Sequence, residues 1–444
     1  MEKARHAAPS KREVRRRKHT KRRKPGGPVI LRAMGVFLTA GVALACLGLL
    51  RFRTPGIVLG PFESEPTAES TLLPDSTSEP EQEPEPEPEP AQPVTTTIRF
   101  SATGDNLIHS PIYKQAARMA SAGQKYDFDY CYAHLLDFYA QQDVNWINQE
   151  TLCSSELEPS TYPCFSTPGE CAESLYRAGI RVFSLSNNHT YDKGAAGLAA
   201  TQRFWAQMPE DVVITGLWNG PSDYGRIPLQ TVNGVTIAYL SYTEHTNGIP
   251  QNSAMTANVI YTNQLDIIQQ QVTQARQLAD FVVVGVHWGV ENSHTITNAQ
   301  RTLAQQLSDW GADLILGTHP HVVQNAEWRT SSDGRQTFVA YSLGNFLSTQ
   351  NKPDQLIGAI LTVQLEKTTA PDGSVSCAVV SPVLHPTVTH YDAGKSNART
   401  YLFRDYTPEL AKAHGVRAEY PGFGMDSIRK VLENNIDPAF LDLT

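Results

Sequence analysis

Two histidines separated by one proline, His319-Pro320-His321, follow an apolar run at 312–317. Imidazoles so close along an extended segment project to different sides unless the backbone turns around a ligand. Pro320 fixes its own φ and restricts His319 to extended geometry. Four more apolar runs end in polar residues. The run at 98–102 leads to Gly104-Asp105-Asn106, and 144–147 leads to Asn148-Gln149-Glu150. The run at 181–186 leads to Asn187-Asn188-His189, and 281–286 to His287-Trp288-Gly289. Pooled, they offer Asp105, Glu150, Asn188, His189, His287, His319 and His321. Imidazole and carboxylate are ligands for Zn, Mn and Fe. Several such groups on separate strand ends leave open positions, as hydrolytic metals require. Two ions ~3.5–4 Å apart clamp a phosphoryl group and activate a water. One histidine then remains as a general acid or a binder of developing charge.

Each motif has a plainer reading when taken alone. Asp105 can cap the next helix, Asn148-Gln149-Glu150 can be a solvated loop, and Asn187-Asn188 can be left-handed turn residues. His287 beside Trp288 can be a satisfied core histidine. The pooled set outweighs these readings because parallel strands of an α/β sheet deliver their C-terminal ends to one crevice. The other motifs that would mark hydrolases or nucleotide sites are absent: no Gly-x-Ser-x-Gly elbow, no Walker loop and no GxGxxG after a strand. Ser342-Leu343-Gly344-Asn345-Phe346 follows a strand and brings Asn345 toward the crevice. Ser342 as a nucleophile has no base singled out for it.

The elements that must position these residues alternate. Strands are expected at 98–102, 144–147, 181–185, 212–215, 281–286 and 314–316. Helices are expected near 112–122, 169–178, 195–208, 263–278 and 298–310. Asn233-Gly234, between apolar runs at 227–232 and 235–241, signals a hairpin. Alternating strands and helices argue for a sheet with helices packed on it. Late strands at 337–342, 357–365 and 376–383 have no helices between them and argue for an added antiparallel part. The α/β domain is expected over 97–390. A C-terminal extension, 391–444, shows one helical stretch at 425–433.

The chain has 444 residues and an uneven charge distribution. Residues 1–32 hold 13 Lys and Arg against two Glu; from residue 96 onward 33 acidic residues face 22 basic ones, a net charge of −11. Such a domain lacks the electrostatic footprint of a nucleic-acid binder. Residues 33–50 are 18 in a row without a charge. With residues 29–31 they are long enough to span a hydrocarbon core of ~30 Å. The positive-inside rule puts the basic head (1–28) in the cytoplasm, the transmembrane helix at 29–50, and the rest outside the cell membrane. A cleaved signal peptide is the competing reading. Residues 51–96, with Glu83-Pro84-Glu85-Pro86-Glu87-Pro88-Glu89-Pro90, cannot bury a core and are expected to be a disordered, acidic, stretched linker. Outside the cytoplasm disulfides persist, so a bridge among Cys153, Cys164 and Cys171 is expected, with a zinc knuckle as the weaker alternative.

The ordered motifs Gly104-Asp105, Asn148-x-Glu150, Ser186-Asn187-Asn188-His189-x-x-Asp192-x-Gly194, Gly285-Val286-His287-Trp288-Gly289, Gly317-x-His319-Pro320-His321-Val322 and Tyr341-Ser342-Leu343-Gly344-Asn345-Phe346 resemble the CapA family. That family is associated with capsule and poly-γ-glutamate synthesis and is regarded as a branch of the calcineurin-like metallophosphoesterase superfamily. The resemblance covers roughly 97–365. It implies a layered metallophosphoesterase-like α/β sandwich on the bacterial surface. It implies metal ligands at Asp105, Glu150, Asn188, His287, His319 and His321, and a catalytic His189 with Asp192 to orient it. Asn148 and Asn345 would bind substrate, and the cofactor would be a divalent ion (Mn, Zn or Fe). The implied partners are the membrane, a membrane polymer synthase complex and an anionic polymer. The sequence departs from the phosphoesterase pattern at Asp105-Asn106-Leu107, where Asp-x-His is usual, the nearest histidine being His109. Three functions follow: a metal-dependent hydrolase of capsule biosynthesis, a non-catalytic accessory factor for polymer export, and a phosphomonoesterase or phosphodiesterase with a small substrate.

Overall fold

The computed structural model describes residues 92–444. The expected head, anchor and linker up to residue 91 lie outside the described residues, as does Cys46. Among the described residues no helix is long and apolar enough to cross a membrane.

Strand β1 (Val94–Asn106) starts three residues before the expected domain start at 97 and runs through Asp105. Its opening Val-Thr-Thr-Thr-Ile is β-branched throughout, and such side chains suit a pleated surface. Helices α1 (Ser110–Met119), α2 (Asp129–Tyr132) and α3 (Leu136–Ala140) lead to β2 (Val144–Asn148). Two short strands, β3 (Cys153–Ser154) and β4 (Thr167–Pro168), pair at the base of a loop before α4 (Glu170–Arg177). Then come β5 (Val182–Ser184), α5 (Gly194–Trp205) and β6 (Val213–Thr215). β7 (Leu229–Val232) and β8 (Val235–Thr243) form the expected hairpin. Asn233 and Gly234 have φ of 49° and 79°, the two positive values that a type I′ turn needs. Next are α6 (Leu265–Leu278), β9 (Phe281–His287), α7 (Asn298–Trp310) and β10 (Leu314–Thr318). A capping box of Thr297 and Gln300 starts α7, and Gly311, at φ 125°, ends it. The chain closes with β11 (Val323–Thr330), β12 (Gln336–Leu343), β13 (Asn345–Leu347), β14 (Ile357–Thr369), β15 (Val375–Asp392), β16 (Ser396–Leu402), α8 (Pro408–Ala413) and α9 (Met425–Asn435).

Two sheets result. The first runs β16-β15-β14-β1-β2-β5-β6 with β13 beside the end of β1; the second runs β11-β12-β10-β9-β8-β7. β1, β2, β5 and β6 are mutually parallel, as are β8, β9, β10 and β12. β14, β15 and β16 supply the expected antiparallel addition. The strand period of two sorts the layers. On β8, Ile237 and Tyr239 join the core that holds Phe100 and Trp146 of the first sheet. Ala238, Leu240 and Tyr242 pack instead with Ile268 and Val272 of α6 and Leu303 and Leu307 of α7. The sheets therefore lie face to face, with helices outside. Gly285 permits their close approach: a Cβ there would sit 2.9 Å from the Trp146 ring.

Two expectations are corrected. The boundary at 390 falls inside β15, β16 extends the same sheet, and residues 391–444 belong to one compact unit with the domain. The tail is stitched on by Leu384 N–H to Phe440 O (2.7 Å) and Asp442 N–H to Leu384 O (3.0 Å). The cysteine bridge is not formed: Cys131, Cys153, Cys164, Cys171 and Cys377 are all free thiols. Cys153 and Cys171 are core side chains, 1% and 0% exposed. Cys171 sulfur lies 3.3 Å from the Tyr132 hydroxyl and 3.6 Å from the Asn106 amide. Among the described residues no cysteine joins a metal-holding group either.

Candidate metal centre

Both sheets aim the C-terminal ends of their parallel strands at one place. Asp105 and Asn148 close β1 and β2, with Glu150 two residues on. His287 ends β9, and His319 follows the last residue of β10. Asn345, at the start of β13, is the parallel partner of Asp105. Glycines let these ends converge. A Cβ on Gly104 would lie 2.0 Å from Gly344 O, and one on Gly317 would lie 1.9 Å from Tyr341 O.

The backbone turns at the His-Pro-His segment. His319 has φ 95° and His321 φ 60°, so the extended geometry expected of His319 is replaced by a left-handed one. Such conformations cost of order 1–3 kcal/mol and persist only where surrounding structure imposes them. Here the His319 N–H donates to Asp105 Oδ2 (3.2 Å). The turn brings both imidazoles, instead of one, into the same buried volume.

Asp105 Oδ1 accepts from Asn148 Nδ2 (2.7 Å), and Asp105 Oδ2 meets His321 Nδ1 at 3.2 Å. Asn345 Oδ1 lies 3.1 Å from the same Nδ1. With two acceptors there, Nδ1 carries a proton, which leaves Nε2 as the ring's ligand atom. On the other side, His287 Nε2 lies 3.1 Å from both Asn188 Oδ1 and His319 Nδ1, while His287 Nδ1 meets Thr318 Oγ1 at 3.0 Å. Glu150 lies between. It is 0% exposed, and neither carboxylate oxygen has a hydrogen-bond partner. Three imidazole nitrogens face its Oε1: His321 Nε2 at 3.7 Å, His287 Nε2 at 3.8 Å and His189 Nε2 at 4.0 Å.

Those separations are too long for hydrogen bonds. They match two ligands of one ion, since atoms each ~2.0–2.2 Å from a metal are ~3–4 Å from one another. Asp105, Glu150 and His321 have ligand atoms within 4.8 Å of one another and form a group able to hold an ion. The donor set fits a divalent cation, and the orphaned carboxylate is the observation that shows the fit. Protonation tells the same story. Burial pushes the Glu150 carboxyl well above the ordinary range. Burial alone would lower His321, but the Glu150 charge and the Asp105 hydrogen bond carry it up to about 9. Burial holds His287 well below its ordinary value and, with the His321 charge, brings His319 down to about 3. Neutral imidazoles are the form that binds metal, so His287 and His319 are ready as ligands, whereas an ion must displace the Nε2 proton of His321.

His189 stands at the edge of this cluster. Its Nδ1 meets Asp192 Oδ2 at 2.8 Å, and its N–H donates to Asn187 Oδ1 (3.0 Å). Asp192 Oδ2 also accepts from Phe165 N–H (2.6 Å), and the Phe165 ring stands edge-on to His189 with centroids 4.7 Å apart. Asn148 and Asn345, expected to meet substrate, are 0% and 1% exposed and bond instead to Asp105 and His321. Asn106 points away, its Nδ2 donating to Gln149 Oε1 (2.7 Å), and Leu107 is buried. His109 packs on Phe165, with centroids 5.3 Å apart, and burial lowers it to about 3. Sequence reasoning missed Phe165, His245 and Asn247. His245 follows β8, so the strand-end signal was present; Phe165, inside the cysteine loop, had none.

A family model described as bacterial capsule synthesis protein PGA_cap matches residues 99–350, which include every residue of this centre. A capsule biosynthesis protein CapA of Bacillus anthracis is 30% identical over 243 residues, 51% of this chain and 55% of that protein. A PGA biosynthesis protein CapA of Bacillus subtilis (strain 168) is 33% identical over 201 residues, 45% of this chain and 51% of that one. The matches thus span about half the length of these curated relatives. Three solved structures are similar at lower identity. A hypothetical protein from Thermus thermophilus has 18% identity and TM-score 0.35, over 64% of this chain and 99% of that one. A putative 5'-nucleotidase from Staphylococcus aureus in complex with alpha-ketoglutarate has 15% and 0.40, over 65% and 54%. The calcineurin-like phosphoesterase YfkN from Bacillus subtilis has 14% and 0.38, over 77% and 100%. At these TM-scores the likeness carries no functional weight.

Proposed function

The chain belongs to the bacterial capsule synthesis protein family PGA_cap, and on that premise we propose that it serves capsule or poly-γ-glutamate biosynthesis at the outer face of the cell membrane, through a divalent-metal centre of hydrolase type. The names of its CapA relatives support the biosynthetic role. The uncharged run at 33–50 behind 13 basic residues supports the anchor, and the acidic Pro/Glu spacer supports action away from the bilayer. The observation that carries the metal reading is Glu150, buried with both oxygens unpartnered and faced by three imidazoles.

Asp105, Glu150 and His321 would hold one ion, and Asn188, His287 and His319, with Glu150 shared, a second. When bound, such an ion polarises a phosphoryl or carbonyl oxygen and acidifies a water. The chain's own groups supply the rest. Asp192 orients His189 so that Nε2 faces the centre and can hold or pass a proton. Asn148 and Asn345 fix Asp105 and His321. Near-complete burial keeps bulk water from the ligands and strengthens every interaction among them.

The test is metal content of the purified full-length chain, supplied with Mn, Zn or Fe, beside His287→Ala and His319→Ala. The reading expects bound metal in the wild type and a clear loss in both variants. Equal, negligible metal in all three overturns it.

A second reading, an accessory factor that guides polymer for a membrane synthase without cutting it, is favoured by one observation. Where the phosphoesterase pattern expects a first-strand histidine, Asn106 turns away and Leu107 is buried. The net charge of −11 from residue 96 onward repels an anionic polymer unless cations intervene. Phosphomonoesters and phosphodiesters offered with Mn, Zn and Mg separate the readings. Turnover abolished by His189→Ala supports the hydrolase, and silence from the metal-loaded chain supports the accessory role.

A further inference from the structure

The loop after β8 turns two side chains onto the open side of the centre. Glu244 N–H donates to His287 O (2.9 Å), which lays the loop along the end of β9. The next residues close on themselves. Thr246 Oγ1 donates to Ile249 O (2.8 Å), Ile249 N–H donates to Thr246 O (2.9 Å), and Asn247 and Gly248 take φ of 50° and 73°. His245 and Asn247, two residues apart, thereby face the two halves of the site. The His245 ring stands edge-on to His319, with centroids 5.1 Å apart and planes at 84°. Asn247 Nδ2 lies 3.4 Å from His189 Nδ1.

Both residues are exposed, whereas His189, His287, His319 and His321 are at most 5% exposed. Solvent, and anything arriving through it, meets His245 and Asn247 first. Their donors are not used up. Asp192 already takes the Nδ1 proton of His189 at 2.8 Å, so the Asn247 amide nitrogen finds no acceptor there. His245 Nδ1 accepts from Asn247 N–H at 3.4 Å. That contact leaves the ring proton on Nε2.

Two N–H donors held beside a carboxylate-lined metal centre suit the oxygens of an anion. We propose that His245 and Asn247 form the substrate-contacting wall of this site, donating hydrogen bonds to an oxyanion, phosphoryl or carboxylate, seated between His189 and His319. The assignment rests on the metal-dependent hydrolase reading. It adds two residues that neither the family motifs nor the ligand set contain.

The experiment uses the full-length chain loaded with Mn²⁺ and titrates orthophosphate and, separately, glutarate by calorimetry. Wild type is compared with His245→Ala, Asn247→Ala and His245→Gln, the last keeping an amide donor. Bound manganese is measured in each. The expected result is unchanged manganese, affinity weakened about tenfold by each alanine, and partial recovery in His245→Gln. The anion that loses more affinity identifies whether the wall serves a tetrahedral phosphoryl or a planar carboxylate. Unchanged affinity for both anions in both alanine variants overturns the assignment. If the wild type takes up no manganese, the hydrolase reading fails on its own. The same titrations on the metal-free chain then decide: weakening by either alanine supports the wall, and no binding or no difference overturns it.

Discussion

Glu150 is the residue where folding and function conflict most sharply. A buried carboxylate without a hydrogen bond costs stability, and the cost is recovered only when a cation arrives. Replacing Glu150 with Gln keeps the shape and removes the charge. The metal-free Glu150→Gln protein should therefore melt higher than metal-free wild type, by about 1–3 kcal/mol of stability. Added Mn²⁺ should raise the melting temperature of the wild type and leave the variant unmoved. A variant that melts lower without metal, or that gains as much from it, contradicts this account. Asp192 poses the complementary case. It holds His189 through Oδ2 and takes the Phe165 N–H on the same oxygen, while its Oδ1 is buried and unpartnered. Asp192→Asn should leave metal content intact and lower any hydrolytic rate by about 10²-fold or more, the usual worth of a placed acid or base. Equal turnover in Asp192→Asn and wild type would remove His189 from the chemistry. Most of these residues were legible because Asp, Glu, Asn and His directly after apolar runs are improbable as core. Their division of labour was not. Whether Asn148 meets substrate or bonds to Asp105 depends on side-chain direction, which spacing does not contain.

At the scale of elements, the site is a product of strand ends that approach one another more closely than side chains allow. Gly317 shows the constraint. A Cβ there would meet Tyr341 O at 1.9 Å and Tyr341 C at 2.5 Å, both backbone atoms that cannot swing aside. Gly317→Ala must part β10 from β12 and tilt the turn that carries His319. The expected loss is about 1–3 kcal/mol in denaturant unfolding, with weaker metal uptake than the wild type. Unchanged stability would mean that the strands are not held at this spacing. The same crowding explains where sequence reading stopped short. β1 was expected at 98–102, yet it extends through Asp105, because its last residues are polar and hydropathy ends where the site begins. β11 alternates Val-Gln-Asn-Ala-Glu-Trp-Arg-Thr along a sheet edge, too polar to register as a strand. The strand expected over 376–383 is shorter than the one observed. β15 carries Pro382 in an irregular pairing, where Ser381 takes φ 52°, and runs on through Pro386 to Asp392.

For the whole domain, the unexpected feature is that the last residues are structural. The tail returns to β15 at Leu384, and His385 clasps it: Nδ1 meets Asp442 Oδ2 at 3.0 Å, and Nε2 meets Thr362 Oγ1 at 2.9 Å. Composition gave no hint of this, because the clasp joins residues 57 apart through one histidine and one aspartate. Its pH response follows from two shifts of known direction. Burial drags His385 below its ordinary value, only partly opposed by Asp442. Burial would raise Asp442, but its bonds to Thr444 and His385 outweigh that and hold it below the ordinary carboxylate value. A histidine lowered on folding binds its proton more readily when unfolded, so its contribution is complete above the unfolded value of ~6.5 and falls as pH drops below it. The depressed carboxyl acts in the same sense at lower pH, its contribution fading as pH falls below ~3.9. Acidification therefore loosens the tail in two steps, the histidine first. Hydrogen exchange at the amides of Leu384 and Asp442, corrected for intrinsic rate, should show protection falling between about pH 7 and pH 5. His385→Phe, which cannot titrate, should flatten that response. Protection that is constant with pH in the wild type, or that falls equally in His385→Phe, would mean that the clasp does not hold the tail.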